Sequence, residues 1–148
     1  MSQLWALPIT LGVNMLSALL LATAIAVSPV QTSNQAIGYA KSSYQGDWYS
    51  PKWEDVRKCI MYHESRYNYK AENKTSSARG AYQFLDLQWR DGLVWMMLDE
   101  GGNTKEIKSL RDIPINEWNR YYQDRAFFTA WRHGEGKKHW SLQAHRCY

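Results

Sequence analysis

The sequence predicts a small, mostly helical α+β domain, with a short β element after its first helix and one disulfide closing it. Three observations predict this. Apolar residues recur at helical spacing in three stretches beyond residue 50, and a single Gly-punctuated stretch between the first two has a strand-like tail. The 148 residues, 45% of them hydrophobic, suffice for one modest core and not for two enzyme domains. Two cysteines, Cys59 and Cys147, stand near the two ends of the charged part of the chain, downstream of an apolar leader.

The leader comes first. All 18 Lys and Arg and all 14 Asp and Glu lie from Lys41 onward, so the chain is an uncharged segment joined to a charged one. Residues 9–30 read ITLGVNMLSALLLATAIAVSPV, apolar enough for an export signal and barely long enough to cross a bilayer. Ala24 and Ala26 form an A-x-A cleavage site, which makes residues 1–26 a signal peptide. No Lys or Arg precedes the apolar run, so an uncleaved N-terminal anchor is the alternative. Residues 27–47, rich in Ser, Gln, Asn, Tyr and Gly, carry no apolar period and read as a linker, leaving 48–148 as the domain. Export places the two cysteines in an oxidising compartment, and a Cys59–Cys147 disulfide follows.

Within the domain, Ser50-Pro51 is a helix start, and Trp53, Val56, Cys59 and Ile60 then fall on one face of a helix over 51–64. Residues 65–84 supply turn residues and end in a short hairpin or extended segment. Asp86 caps a second helix that stops at Gly101-Gly102. A third runs from after Pro114 to Gly134, with Ile115, Trp118, Tyr122 and Ala126 toward the core. A short helix in the tail returns Cys147 to the first helix.

Glu64 lies at the C-terminal end of the first helix, where the helix dipole disfavours another negative charge. Tyr62, Tyr67 and Tyr69 add partial desolvation in the same direction. A carboxyl held protonated near neutral pH is what a general acid needs, and glycoside cleavage uses such a group to protonate the leaving oxygen. Gln83 offers a donor and an acceptor for the N-acetyl and hydroxyl groups of an amino sugar, and Tyr82 an aromatic face for a pyranose. Of the eight Trp, Trp53 and Trp118 read as core residues.

The string CIMYHESRYNY over 59–69, followed by ARGAYQF over 78–84 and then Trp89, resembles the lysozyme-like core of soluble lytic transglycosylases and of the resuscitation-promoting factors of actinobacteria. The resemblance covers residues 48–147 and implies an α+β lysozyme-like fold. On it Glu64 matches the catalytic acid, Ser65 its neighbour, and Tyr82 and Gln83 the strand lining the cleft. Trp140 and Cys147 resemble the Trp and Cys that close the resuscitation-factor domain. Ala130, Trp131 and Gly134 fall where the transglycosylases carry an Ala-Tyr-Asn-x-Gly segment, with Trp131 in place of its Tyr as a sugar contact and Arg132 in place of its Asn. In some resuscitation factors the cysteine adjoins the glutamate, whereas four residues separate Cys59 from Glu64.

The implied activity is cleavage of the MurNAc-β-1,4-GlcNAc bond of peptidoglycan by an exported, monomeric enzyme, secreted or wall-associated, that touches membrane only through an uncleaved leader. Attack by the muramic acid 6-hydroxyl would make it a lytic transglycosylase, whereas attack by water would make it a muramidase with a second carboxylate, for which Glu72 and Asp86 are nearest in sequence. A phage endolysin or virion-associated lysin uses the same chemistry with another delivery. A non-catalytic wall-binding module is the alternative of a different class. No cofactor is expected. The net charge of +4 is spread too thinly for a nucleic-acid partner. No metal site is expected either. Tyr67 stands where H-E-x-x-H needs its second His, Cys59 and His63 at i, i+4 lack clear further ligands, and His133, His139 and His145 share no helical face. Asn73-Lys-Thr75 is a glycosylation sequon only in a eukaryotic chain.

Overall fold

The computed structural model describes residues 40–140 and 144–148. The leader and residues 27–39 of the expected linker lie outside the described residues. Among those described, no helix is long and apolar enough to cross a membrane.

The described residues are mostly helical with one two-stranded antiparallel sheet among them, as the sequence predicts. A 3₁₀ turn, Pro51–Trp53, leads into α1, Glu54–Ser65. The face α1 buries is turned about one residue from the expected one. Glu54, Arg57, Ile60 and Met61 are buried, whereas Val56 and Cys59 are only half-buried. An ion pair causes the difference, because apolar spacing gives no credit to a charged residue that goes inside with its partners. Arg57, with no exposed surface, donates from Nε and Nη2 to Glu54 Oε2 at 3.0 and 2.9 Å.

Strand β1, Ala78–Arg79, pairs with β2, Phe84–Leu85, in the register Ala78↔Leu85 and Arg79↔Phe84, so residues 80–83 form the connecting turn. Helix α2, Asp86–Glu100, ends at Gly101, whose φ of 101° suits a glycine stop. Asp86 is not its cap. It is the first helical residue, 3% exposed, and its Oδ1 accepts the Ile115 N–H at 2.9 Å while Arg79 and Arg90 flank Oδ2.

A helix that apolar spacing misses, α3, covers Thr104–Ser109, too short to show a period. Its signal is a cap. Asn103 Oδ1 accepts the Glu106 N–H at 3.3 Å, and Asn103 Nδ2 donates to the Glu106 carboxylate at 3.2 Å, a reciprocal pair at capping-box spacing.

Helix α4 covers Arg120–Trp131, starting later and stopping earlier than the pattern suggests. Residues 115–117 are a 3₁₀ turn and Trp118 is extended, so the helix begins at Asn119, whose Oδ1 accepts the Tyr122 N–H at 3.1 Å. Arg132, His133 and Gly134 then take positive φ and break it. From Tyr122 to Trp131 every residue of α4 is buried. A helix buried on all sides must satisfy its polar side chains internally. Gln123 Oε1 takes the Ala81 N–H at 2.9 Å, its Nε2 reaches the Tyr69 and Trp118 carbonyls, and Arg125 holds Glu100.

Asp124 is the hub of the packing. It has no exposed surface; Oδ1 accepts the Tyr69 and Tyr82 hydroxyls, each at 2.6 Å, and Oδ2 accepts the Ser43 N–H at 3.0 Å and the hydroxyls of Ser42 and Ser43. Arg57 Nη1 lies 3.6 Å from Oδ1. Residues 40–44, expected as linker, therefore belong to the fold. The Ala40 carbonyl accepts from Arg57 Nη2 at 2.8 Å, the Ser42 N–H donates to Glu54, and Tyr44 is buried against Phe128.

Cys59 and Cys147 form the expected disulfide, with Cα atoms 5.6 Å apart and a sequence separation of 88. It ties the terminal 3₁₀ turn, Ala144–Cys147, to α1. In the chain-entropy description a loop this long contributes about 4–5 kcal/mol. Replacing both cysteines by serine is expected to cost that much in a urea unfolding titration of the full chain; a cost below about 1 kcal/mol would mean that the reduced chain is already constrained in this region.

Candidate active site

Glu64 sits in the last turn of α1, and the backbone immediately after it is strained. Arg66 and Tyr67 both adopt positive φ, 54° and 66°, in a region that non-glycine residues enter at a cost of roughly 1–3 kcal/mol each. The two residues swing the chain sharply off the helix axis, so that Glu64 borders the open end of α1. Its side chain is half-buried, and no hydrogen bond or ion pair among the described residues engages the carboxylate. Burial pushes its pKa above the ordinary carboxylate value. Among the described residues the carboxyl is thus desolvated without a partner that would hold it ionised.

Ser65 joins this helix end to the hairpin turn. Its hydroxyl donates to the Ala81 carbonyl at 2.8 Å and accepts the Asn68 N–H at 3.1 Å. The expected sugar contact through Ser65 is therefore occupied by the protein itself, and Ser65 positions its neighbours. The turn it holds is clamped at almost every peptide. The Gly80 N–H donates to the Ala71 carbonyl at 2.8 Å, the Ala81 N–H to Gln123, and Trp140 Nε1 reaches the Tyr82 carbonyl at 2.9 Å. Gln83, at φ 50°, folds its Nε2 back to the Gly80 carbonyl at 3.0 Å and remains half-buried. The hydrogen bond between Ser65 and Ala81 thus sets Glu64 and Gln83 on two segments fixed to one another.

Two expected contacts move into the core. Tyr82 is 1% exposed, its ring stacked on Phe127 at 4.8 Å and its hydroxyl shared between Asp124 and Arg57. No sugar reaches that face. The alternation along 80–84 does not distinguish inward from outward, and the buried charges that take the Tyr82 hydroxyl lie on distant elements. Trp131 has no exposed surface either; it stacks on Phe127 at 5.8 Å and meets Trp53 edge-on at 5.5 Å. It ends a helix buried on all sides, where an aromatic serves as filling.

Of the two acids nearest in sequence, Glu72 pairs with Arg79 at 2.7 Å and Asp86 is committed to Ile115 and two arginines. The surface groove beside Met96, Arg132, Lys138 and His139 and that beside Lys74, Arg79 and Leu87 are lined by neither Glu64 nor Gln83. Tyr62, 44% exposed one turn before Arg66, carries the Arg66 guanidinium 4.1 Å over its ring and is an aromatic surface that sequence reading credited only with desolvation.

Gly80 is where the turn is most sensitive. Its φ is 77°, and a Cβ there would collide with Gln123 Oε1, the atom that accepts the Ala81 N–H. Gly80→Ala is expected to cost roughly 2–4 kcal/mol in urea unfolding, from left-handed strain and overpacking together. An unchanged midpoint would mean that the turn adjusts freely.

No family model, curated protein or solved structure matches the chain.

Proposed function

We propose that the chain is an exported peptidoglycan-cleaving glycosidase acting on the MurNAc-β-1,4-GlcNAc bond, with Glu64 as general acid and then base. The observation that carries this reading is the Glu64 carboxyl: half-buried, raised in pKa, without a hydrogen bond or ion pair among the described residues, and next to the Ser65 clamp on the turn that bears Gln83. The protonated carboxyl gives its proton to the glycosidic oxygen as the bond from C1 to that oxygen breaks. The carboxylate then takes the proton of the muramic 6-hydroxyl as that oxygen bonds to C1, leaving a 1,6-anhydro end and regenerating the acid. This course needs no second carboxylate. Glu72 and Asp86 are both held by cations, and Asp86 is buried as well, so neither offers a free base for water. That favours the transglycosylase over the muramidase.

Mass spectrometry of the soluble fragments released from purified peptidoglycan by the full oxidised chain, beside a Glu64→Gln control, tests the reading. The expected result is anhydromuramyl ends that vanish in the control. Reducing ends that vanish in the control would make the enzyme a hydrolase. A folded wild-type chain that releases nothing would overturn the catalytic reading in favour of a wall-binding module.

A further inference from the structure

Sequence reading finds Cys59 and His63 one helical turn apart and no third ligand. The fold supplies one. Cys147, brought to α1 by the terminal turn, places its sulfur with Cys59 Sγ and a His63 ring nitrogen so that all three atoms lie within 4.8 Å of one another. All three residues are half-buried, so a small thiol and a cation can both reach them. We propose that the reduced form of this protein binds a zinc-class divalent cation through Cys59, His63 and Cys147, with water in the fourth position, and that the disulfide and the metal are alternative closures of the same loop.

The geometry requires little movement. A tetrahedral zinc with Zn–S of about 2.3 Å and Zn–N of about 2.0–2.1 Å sets its ligand atoms roughly 3.5–3.8 Å apart. The three donor atoms already lie within 4.8 Å, and the Cα atoms of the two cysteines, 5.6 Å apart, permit the sulfurs to separate by side-chain rotation alone. Cys59 and His63 stand at i and i+4 on α1, a spacing that puts both on one side of a rigid helix. The redox step balances with a dithiol. Its two thiols reduce the disulfide to the Cys59 and Cys147 thiols and leave as the reductant's own disulfide. Zinc binding then releases the two thiol protons, giving two thiolates and a neutral imidazole on the cation. The site is independent of the glycan reading, because none of its ligands is assigned a role there.

The test uses the full chain, reduced with a dithiol, desalted under inert gas and titrated with Zn²⁺ and, for its spectrum, Co²⁺. The reduced protein is expected to take up about one equivalent, with the thiolate-to-cobalt absorption of a four-coordinate site. The oxidised protein takes up none there. Removing one ligand in reduced His63→Ala is expected to weaken binding more than about a hundredfold, beyond the roughly 10–100-fold that the loss of an outer-shell partner costs. Equal affinity in His63→Ala, or equal uptake by the oxidised chain, overturns the proposal. If reduction unfolds the chain, return of the near-ultraviolet circular dichroism on adding Zn²⁺ supports the site; uptake with no such return reports thiols of an unfolded chain and overturns it.

Discussion

A Glu64→Gln protein is expected to lose wall cleavage by roughly 10²–10⁴-fold, the range a positioned general acid supplies, while folding at least as well as the parent. The two halves of this expectation have one cause. Burial raises the pKa of Glu64 in the folded state, so the folded state disfavours the ionised carboxyl. The contribution of Glu64 to folding stability is therefore fully present below the unfolded-state value of about 4.3, and is lost as pH rises from there through the raised folded value. Glutamine has the same shape and no charge. Its thermal midpoint should exceed that of the parent at pH 7, and the difference should disappear below about pH 4. Cleavage should fall as pH rises through the same folded pKa, because only the protonated carboxyl gives up a proton. A Gln variant that melts well below the parent at pH 7 would show that Glu64 is a structural partner. One that cleaves at the parental rate would remove Glu64 from the chemistry.

The second large effect lies in the core. Asp124→Ala is expected to destabilise the fold by about 3–5 kcal/mol, since removing one member of a buried ion pair leaves the other uncompensated. Arg57 would keep Glu54 but lose the carboxylate 3.6 Å away, and the Tyr69 and Tyr82 hydroxyls, Ser42 and Ser43 would lose their common acceptor. For a domain near 100 residues such a loss lowers the thermal midpoint by roughly 12–40 °C. A fall below about 5 °C would mean that the network adds little beyond its own desolvation. Because Tyr82 precedes Gln83, partial activity at low temperature would be expected to carry a raised KM as well as a lowered stability.

The outline of the fold was legible because it rests on local signals. Ser50-Pro51, Gly101 and the apolar spacing of Trp53 and Ile60 in one stretch and of Tyr122 and Ala126 in another announce helices and stops, and the turn residues over 65–84 announce a short hairpin. The helix ends were less legible. Asn103 and Asn119 are the caps that decide where α3 and α4 start, and neither stands out from apolar periodicity. The buried charges were illegible for a physical reason. Glu54, Arg57, Asp124 and Arg125 look like surface residues one at a time, and only their pairing with one another and with Ser42 and Glu100, across 3 to 82 positions of chain, makes their burial tolerable. The sequence places Tyr82 and Trp131 at the site for the same reason, since a tyrosine whose hydroxyl has buried partners is as much at home inside as on a cleft wall. The place of Glu64 and Ser65 at the end of the first helix is legible because a helix end is a local feature of the sequence.

The packing of residues 40–44 onto Arg57 and Asp124 also fixes a limit on how far the chain can be shortened. A shortened chain that keeps the fold intact has to begin at or before Ala40, because a later start strips a carbonyl from a guanidinium with no exposed surface. A recombinant chain begun at Trp48, where composition alone would draw the boundary, would lack Ser42, Ser43 and Tyr44 and open the centre of α4 to solvent. Residues 40–44 are thus a keystone of the fold that lies several positions ahead of the first helix.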